Sequence, residues 1–201
     1  MGKMVLVPVA DGTEELEAVA IIDVLRHAGA TITVASVTGA RQIRASHGVV
    51  IVADALIADC TDTEYDLVVL PGGIPGAEHL RDSADLTRIL KRQAKKGRLY
   101  GAICASPAVV LEHHGLLAGR RATCHPGFVD QLKERDSVDE RVVVVGNCLT
   151  SRVGRARPSS LPWPWWKRST AEPSVKLWLA RWWFYSLRTS EKVKLDNTKR
   201  D

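Results

Sequence analysis

Up to Arg152 the chain contains no tryptophan; all six stand beyond that residue. Its four cysteines, Cys60, Cys104, Cys124 and Cys148, never fall at Cys-x-x-Cys spacing, which argues against a zinc site or a thioredoxin-like motif. There is no Gly-x-Gly-x-x-Gly and no Walker pattern, so no phosphate-binding loop is expected. No apolar run is long and charge-free enough to cross a membrane. The N-terminal run Met4–Ala10 is strand-length and lacks the h-region and cleavage site of a signal peptide. Gly2 invites myristoylation, but Leu6 stands where Ser or Thr is wanted. These absences lead to the expectation of a reducing compartment: the cytoplasm, with nucleus or plastid left open. Internal repeats and low-complexity tracts are also missing.

The overall charge of +5 conceals two different segments. Through Arg152 there are 17 Lys and Arg against 19 Asp and Glu; beyond it there are 11 against 4. The first segment is long enough for one domain with a substantial core. Apolar runs alternate with helical patterns along it. Met4–Pro8, Thr31–Val37, Val49–Val52, Asp66–Leu70, Leu99–Ile103, Arg141–Val145 and Cys148–Thr150 read as strands. Glu14–His27 and Ala84–Lys96 read as helices, the second with a basic face. Continuous apolar strands alternating with helices predict an α/β sandwich around a mostly parallel sheet. Ligands in such folds bind at the carboxyl ends of the strands. Three features fall there: the turn Asp11-Gly12-Thr13-Glu14-Glu15, the turn Pro71-Gly72-Gly73, and Cys104.

Cys104 stands between the strand Leu99–Ile103 and a helix opening at Pro107. Such an elbow points the side chain out of the sheet and beside helix N-terminal N–H groups, which favour the thiolate. Cys104 is therefore a candidate nucleophile, although free cysteines are also common core residues. Glu17 is followed by Ala20, Ile21 and Val24 on one helix face, a setting that desolvates a carboxyl and raises its pKa. Glu15 has the same apolar spacing, and charge at a helix N-terminus would account for either. Gly72 and Gly73 offer free N–H groups that, with that of Ala105, form a candidate oxyanion hole. His125, before Pro126, is a candidate acid/base partner for Cys104. His113 and His114 read as helix C-terminal residues, and Cys60, Cys124 and Cys148 as packing.

The strings LVPVADGTEELEAV, YDLVVLPGGIPGAEHLRDS, GRLYGAICASPAVVL and RVVVVGNCLTSR together resemble the DJ-1 branch of the DJ-1/PfpI superfamily, in a plant-like form, over residues 3–152. The resemblance implies a flavodoxin-like three-layer sandwich with a nucleophile-elbow cysteine, and a homodimer. It implies Cys104 as nucleophile, Glu17 as its proton-bearing partner, Gly73 and Ala105 as oxyanion donors and His125 as a pocket residue. It implies no cofactor and no metal. The activity it implies is that of a glyoxalase or deglycase, converting methylglyoxal, glyoxal or early glycation adducts on protein or nucleotide to hydroxy acids. An oxidative-stress sensor or redox-regulated chaperone using Cys104 is the alternative. Neither requires nucleic acid or a membrane. Peptidase relatives place His directly after the nucleophile; here Ala105 stands there. Ala45 occupies the position of the animal branch's second oxidisable cysteine.

After Ser151-Arg152 the resemblance stops. One choice of codons for VGRARPSSLPWPWWK, read from the third base of the Val153 codon, gives GPGTAIEFALALVE, the apolar helix that the family expects there. The basic, tryptophan-rich segment 153–201 is therefore expected to be an out-of-frame translation. Pro158, Pro162 and Pro164 make it a poor helix in its first half. Lower stability is expected from the exchange. A genuine extension could instead form an interfacial amphipathic helix or a single-strand nucleic-acid surface from Lys176, Trp178, Arg181, Trp182 and Trp183.

Overall fold

The computed structural model describes residues 2–152; the out-of-frame reading of 153–201 lies outside the described residues. Nine strands are described: β1 Met4–Val9, β2 Thr31–Ser36, β3 Gln42–Arg44, β4 Val50–Val52, β5 Ala55–Leu56, β6 Leu67–Leu70, β7 Leu99–Ile103, β8 Val142–Val145 and β9 Cys148–Ser151. Three regular helices join them: α1 Glu15–His27, α2 Gly76–Asp82 and α3 Ala84–Lys95. A fourth, wide helical segment of the i→i+5 type, α4, covers Pro107–Glu112.

Seven strands form one sheet in the order β5-β2-β1-β6-β7-β9-β8. Every pairing in it is parallel except β8 with β9, which a tight turn at Gly146 makes antiparallel. The fold is thus flavodoxin-like, with layers on both faces. On one face α1 lays Ala18, Ile21 and Leu25 over Val5, Val7 and Val9. On the other, α2, α3 and α4 bury Leu80, Ile89, Leu90, Val110 and Leu111 against Leu6, Val68 and Leu70. Period-two alternation along β1 sends Leu6 to one core and its neighbours to the other. That two-sided burial is why β1 reads as an unbroken apolar run.

Two expectations need correcting. The run Val49–Val52 supplies β4, but β4 pairs antiparallel with β3 in a separate two-stranded hairpin, outside the parallel sheet. Val50 and Val52 stay exposed there, while Ile43 points into the core beside α1. The segment after Cys104 is also no ordinary helix opening: α4 is a six-residue, widened turn whose every residue is buried.

Candidate active site

The carboxyl ends of β1, β6 and β7 meet at one edge of the sheet. Cys104 follows β7 directly and holds φ at 60°, unusual for any residue but glycine. Such strain persists only where the surroundings over-determine it. Here the Cys104 N–H donates to Ser151 O at 3.0 Å, and its carbonyl accepts from the His125 N–H at 2.6 Å. The next turn is pinned by Ser106, whose buried hydroxyl donates to Pro71 O at 2.5 Å. That bond ties the elbow to the turn that follows β6.

The Pro71-Gly72-Gly73 turn lies against α1. The Gly72 N–H donates to Glu17 Oε2 at 2.8 Å, and Gly72 O accepts from the Glu14 N–H at 2.9 Å. A Cβ on Gly72 would lie 2.6 Å from Cys104 Cβ and 2.9 Å from Glu17 Oε2, so only glycine lets the three groups converge. Gly73, at φ 94°, passes so close to Gly12 and Thr13 that a side chain has no room. Its N–H and that of Ala105 both act on the Cys104 thiol, pulling its pKa down. They are placed to bind negative charge that develops beside it.

The choice between the two glutamates is now clear. Glu17 is 6 % exposed, and its Oε2 and the Cys104 sulfur both close on Gly72, 2.9 Å and 3.1 Å from where a Cβ there would stand. Glu15 turns the other way and accepts from the Ser46 hydroxyl and the His47 N–H. Desolvation raises Glu15, but hydrogen bonds from its own N–H, Ser46 and His47 outweigh it and hold the carboxyl at about 2. Glu14, Glu15 and His47 bring possible ligand atoms within 4.8 Å of one another; the Glu15 oxygens are already engaged in that cluster. Glu14 caps α1, its carboxylate accepting from the Glu17 N–H at 2.8 Å, a role the sequence reading did not assign.

Burial pushes Glu17 up to about 7, against the lowering effect of its bonds from Gly72 and Cys104. Burial also raises the Cys104 thiol, and a charged Glu17 raises it further; the Ala105 and Gly73 N–H groups pull the other way without overcoming it. The expectation that helix N–H groups keep the sulfur ionised is therefore corrected. A six-residue widened turn carries little aligned dipole, and desolvation wins. The site rests as a thiol beside a carboxyl that titrates near neutrality, which suits Glu17 to exchange a proton with the sulfur.

His125 adjoins Cys104 through its backbone. In its ring, Nδ1 accepts from the Gly127 N–H at 3.1 Å, capping the short 3₁₀ turn Pro126–Gln131, and the ring packs edge-on against Phe128. The remaining cysteines, Cys60, Cys124 and Cys148, are buried and free, as packing residues should be.

An α/β sandwich whose central strand ends in a strained cysteine, facing a buried carboxyl and two backbone donors, defines a class of cysteine-nucleophile proteins built on a flavodoxin-like sheet. The chain belongs to the DJ-1/PfpI family, whose pattern matches residues 3–159. Protein DJ-1 homolog B of Arabidopsis thaliana is 49 % identical over 148 residues, 74 % of this chain and 34 % of that protein. The chain spans about a third of that relative's length. The glutathione-independent glyoxalase DJR-1.2 of Caenorhabditis elegans is 34 % identical, covering 74 % of this chain and 78 % of that one. The oxidized DJ-1 of Toxoplasma gondii superposes with a TM-score of 0.77 at 42 % identity, covering 94 % and 95 % of the two chains.

Proposed function

We propose that the chain is a cofactor-independent glyoxalase and deglycase, acting on methylglyoxal, glyoxal or their early adducts on protein or nucleotide. The observation that carries this reading is the convergence of Cys104, the Glu17 carboxyl and the Gly73 and Ala105 N–H groups on one point. The name of the Caenorhabditis elegans relative agrees with it.

The chemistry balances without a redox cofactor. Glu17 takes the thiol proton as the Cys104 sulfur bonds to the aldehyde carbon. The carbonyl oxygen, held by the two N–H groups, receives that proton from Glu17 and becomes the hydroxyl of a hemithioacetal, leaving Glu17 as a carboxylate. Glu17 then moves a proton from that carbon to the neighbouring ketone carbon. The hydroxyl proton of the first carbon passes to the ketone oxygen, so the first carbon is oxidised to a thioester while the second is reduced to an alcohol. Water cleaves the thioester, releasing lactate and restoring the thiol. His125, with Nδ1 committed to Gly127, contributes to this reading only through Nε2.

The test is lactate formation from methylglyoxal by the full chain and by Cys104→Ser and Glu17→Gln. Turnover by the wild type, with a loss of at least about a hundredfold in each variant, supports the proposal. A wild type that yields no lactate overturns it.

A second reading, reversible oxidation of Cys104 in stress sensing or a redox-regulated chaperone, is favoured by the half-buried sulfur at a site of two N–H donors. Sulfur oxidation by peroxide without lactate formation would select it.

The proposed assembly is a homodimer. Leu16 and Val19 on α1, with Val49, Val50 and Val52 on the β3–β4 hairpin, are exposed apolar side chains on adjoining elements. Ser46 and His47 tie that hairpin to Glu15 at the start of α1. No described helix is long and apolar enough to cross a membrane. The four free thiols suit the reducing cytoplasm proposed here as the site of action.

A further inference from the structure

Glu112 is the last residue of α4, with only 8 % of its surface exposed. Buried carboxylates are normally paired or fully hydrogen-bonded. This one is held loosely: it has a long ion pair to Lys133, and its Oε1 has no hydrogen-bond partner among the described residues. The Lys133 ammonium is 3.7 Å from Oε1, beyond hydrogen-bond reach, and its side chain is 79 % exposed. Oε2 has only the Lys133 N–H, at 3.5 Å. The residue lines a cavity of about 340 Å³. Ala108 and Val109 give the cavity an apolar wall, Gln131 an amide, His113 an imidazole, and Arg81 and Lys133 two cations. Arg81 is engaged in a two-point ion pair with Asp82, whereas the Lys133 ammonium is held by the 3.7 Å contact to Glu112.

We infer that this cavity binds a small zwitterion of the α-amino acid class, its ammonium on Glu112 and its carboxylate on Lys133. A ligand carrying only positive charge would satisfy Oε1 but meet Arg81 and Lys133. One carrying only negative charge would meet Glu112. A metal cation would find a single carboxylate, short of the oxygen-ligand sets such ions require. A molecule with both charges a few ångströms apart, and an aliphatic side chain for Ala108 and Val109, answers the carboxylate, the Lys133 ammonium and the apolar wall together. The ammonium supplies the donor that the carboxylate lacks, in a charge-assisted bond.

None of the lining groups takes part in the proposed chemistry, so the two proposals can fail separately. The probe is L-leucine, titrated calorimetrically into the full chain. N-acetyl-L-leucine, which lacks the ammonium, and leucinamide, which lacks the carboxylate, serve as the comparison ligands. Saturable binding of L-leucine at one site per chain is expected. Each comparison ligand, and each of the variants Glu112→Gln and Lys133→Met, should weaken it by about tenfold or more. Cys104→Ser should bind L-leucine as the wild type does, and Glu112→Gln should keep wild-type lactate formation. Glu112→Gln removes an unsatisfied buried charge and is expected to fold; an unchanged circular dichroism spectrum checks this. Absence of saturable L-leucine binding overturns the inference. So does equal binding by the N-acetyl form, or unchanged affinity in Glu112→Gln.

Discussion

At the scale of single residues, the site depends on one carboxyl. The folded chain holds a proton on Glu17 up to about pH 7, whereas an unperturbed glutamate releases it near 4.5. A raised folded-state pKa contributes stability that is full below the unfolded value and lost as pH rises through the folded one. The window here runs from about pH 4.5 to about pH 7. Relative to Glu17→Gln, the wild type should lose on the order of 3 kcal/mol across it. Denaturant titrations of both proteins at intervals across that range measure the difference directly. Parallel stability curves would show that burial does not hold the proton. Gly72 imposes a constraint of a different kind. Adding one methyl there sets it against Cys104 Cβ, which a backbone pinned on both sides cannot move. Gly72→Ala should cost about 1–3 kcal/mol and reduce lactate formation. Wild-type turnover in that variant would show that the three groups need not meet so closely.

At the scale of elements, the elbow is a joint between β7 and α4 braced by Ser106. Losing that hydroxyl takes a donor from Pro71 O in a buried setting, worth about 1–3 kcal/mol. Ser106→Ala should lower the melting temperature and reduce kcat more than it raises KM, because the turn that carries Gly73 loosens. A fall in stability with unchanged kcat would make Ser106 a packing residue alone. Much of this architecture was legible locally. Strands β1, β6 and β7 are unbroken apolar runs because helices cover both faces, and the turns at their carboxyl ends carry glycine, proline and cysteine in recognisable order. What escaped were elements without periodicity of their own. Gln42–Arg44 and Ala55–Leu56 are too short to show alternation, and α2 begins in a glycine- and proline-rich stretch that reads as a turn. It becomes helical because Ala77 and Leu80 are buried in the core. The run Val49–Val52 announced a strand but not its partner, since pairing is a tertiary property. Spacing likewise could not separate Glu15 from Glu17. Only the arrival of Ser46 and His47 at one and of Gly72 at the other does so. The thiol was misjudged for the same reason: the number of N–H groups near a cysteine can be read from a motif, while its desolvation cannot.

At the scale of the whole molecule, the sheet buries its two faces but leaves one apolar surface uncovered. Leu16 is 65 % exposed and Val52 68 %, values that a monomer would pay for in solubility. They flank the hairpin that leaves the parallel sheet, and this explains why a strand-forming valine run ends outside the core. A second copy of the chain would cover the surface by a two-fold contact, in which each α1 meets the partner's α1 or hairpin. The candidate site lies at the inner side of the same helix, since the buried Glu17 follows the exposed Leu16 on α1. Association should therefore steady the carboxyl that faces Cys104. Sedimentation of the full chain should show a dimer at micromolar concentration. Val52→Asp and Leu16→Asp should each shift it towards monomer by placing a charge in an apolar contact. If the contact steadies the site, the monomeric variants should retain their secondary structure and show a lower kcat for methylglyoxal. A wild type that sediments as a monomer would leave the valines of the hairpin without a role, and a monomeric variant with full kcat would separate assembly from catalysis.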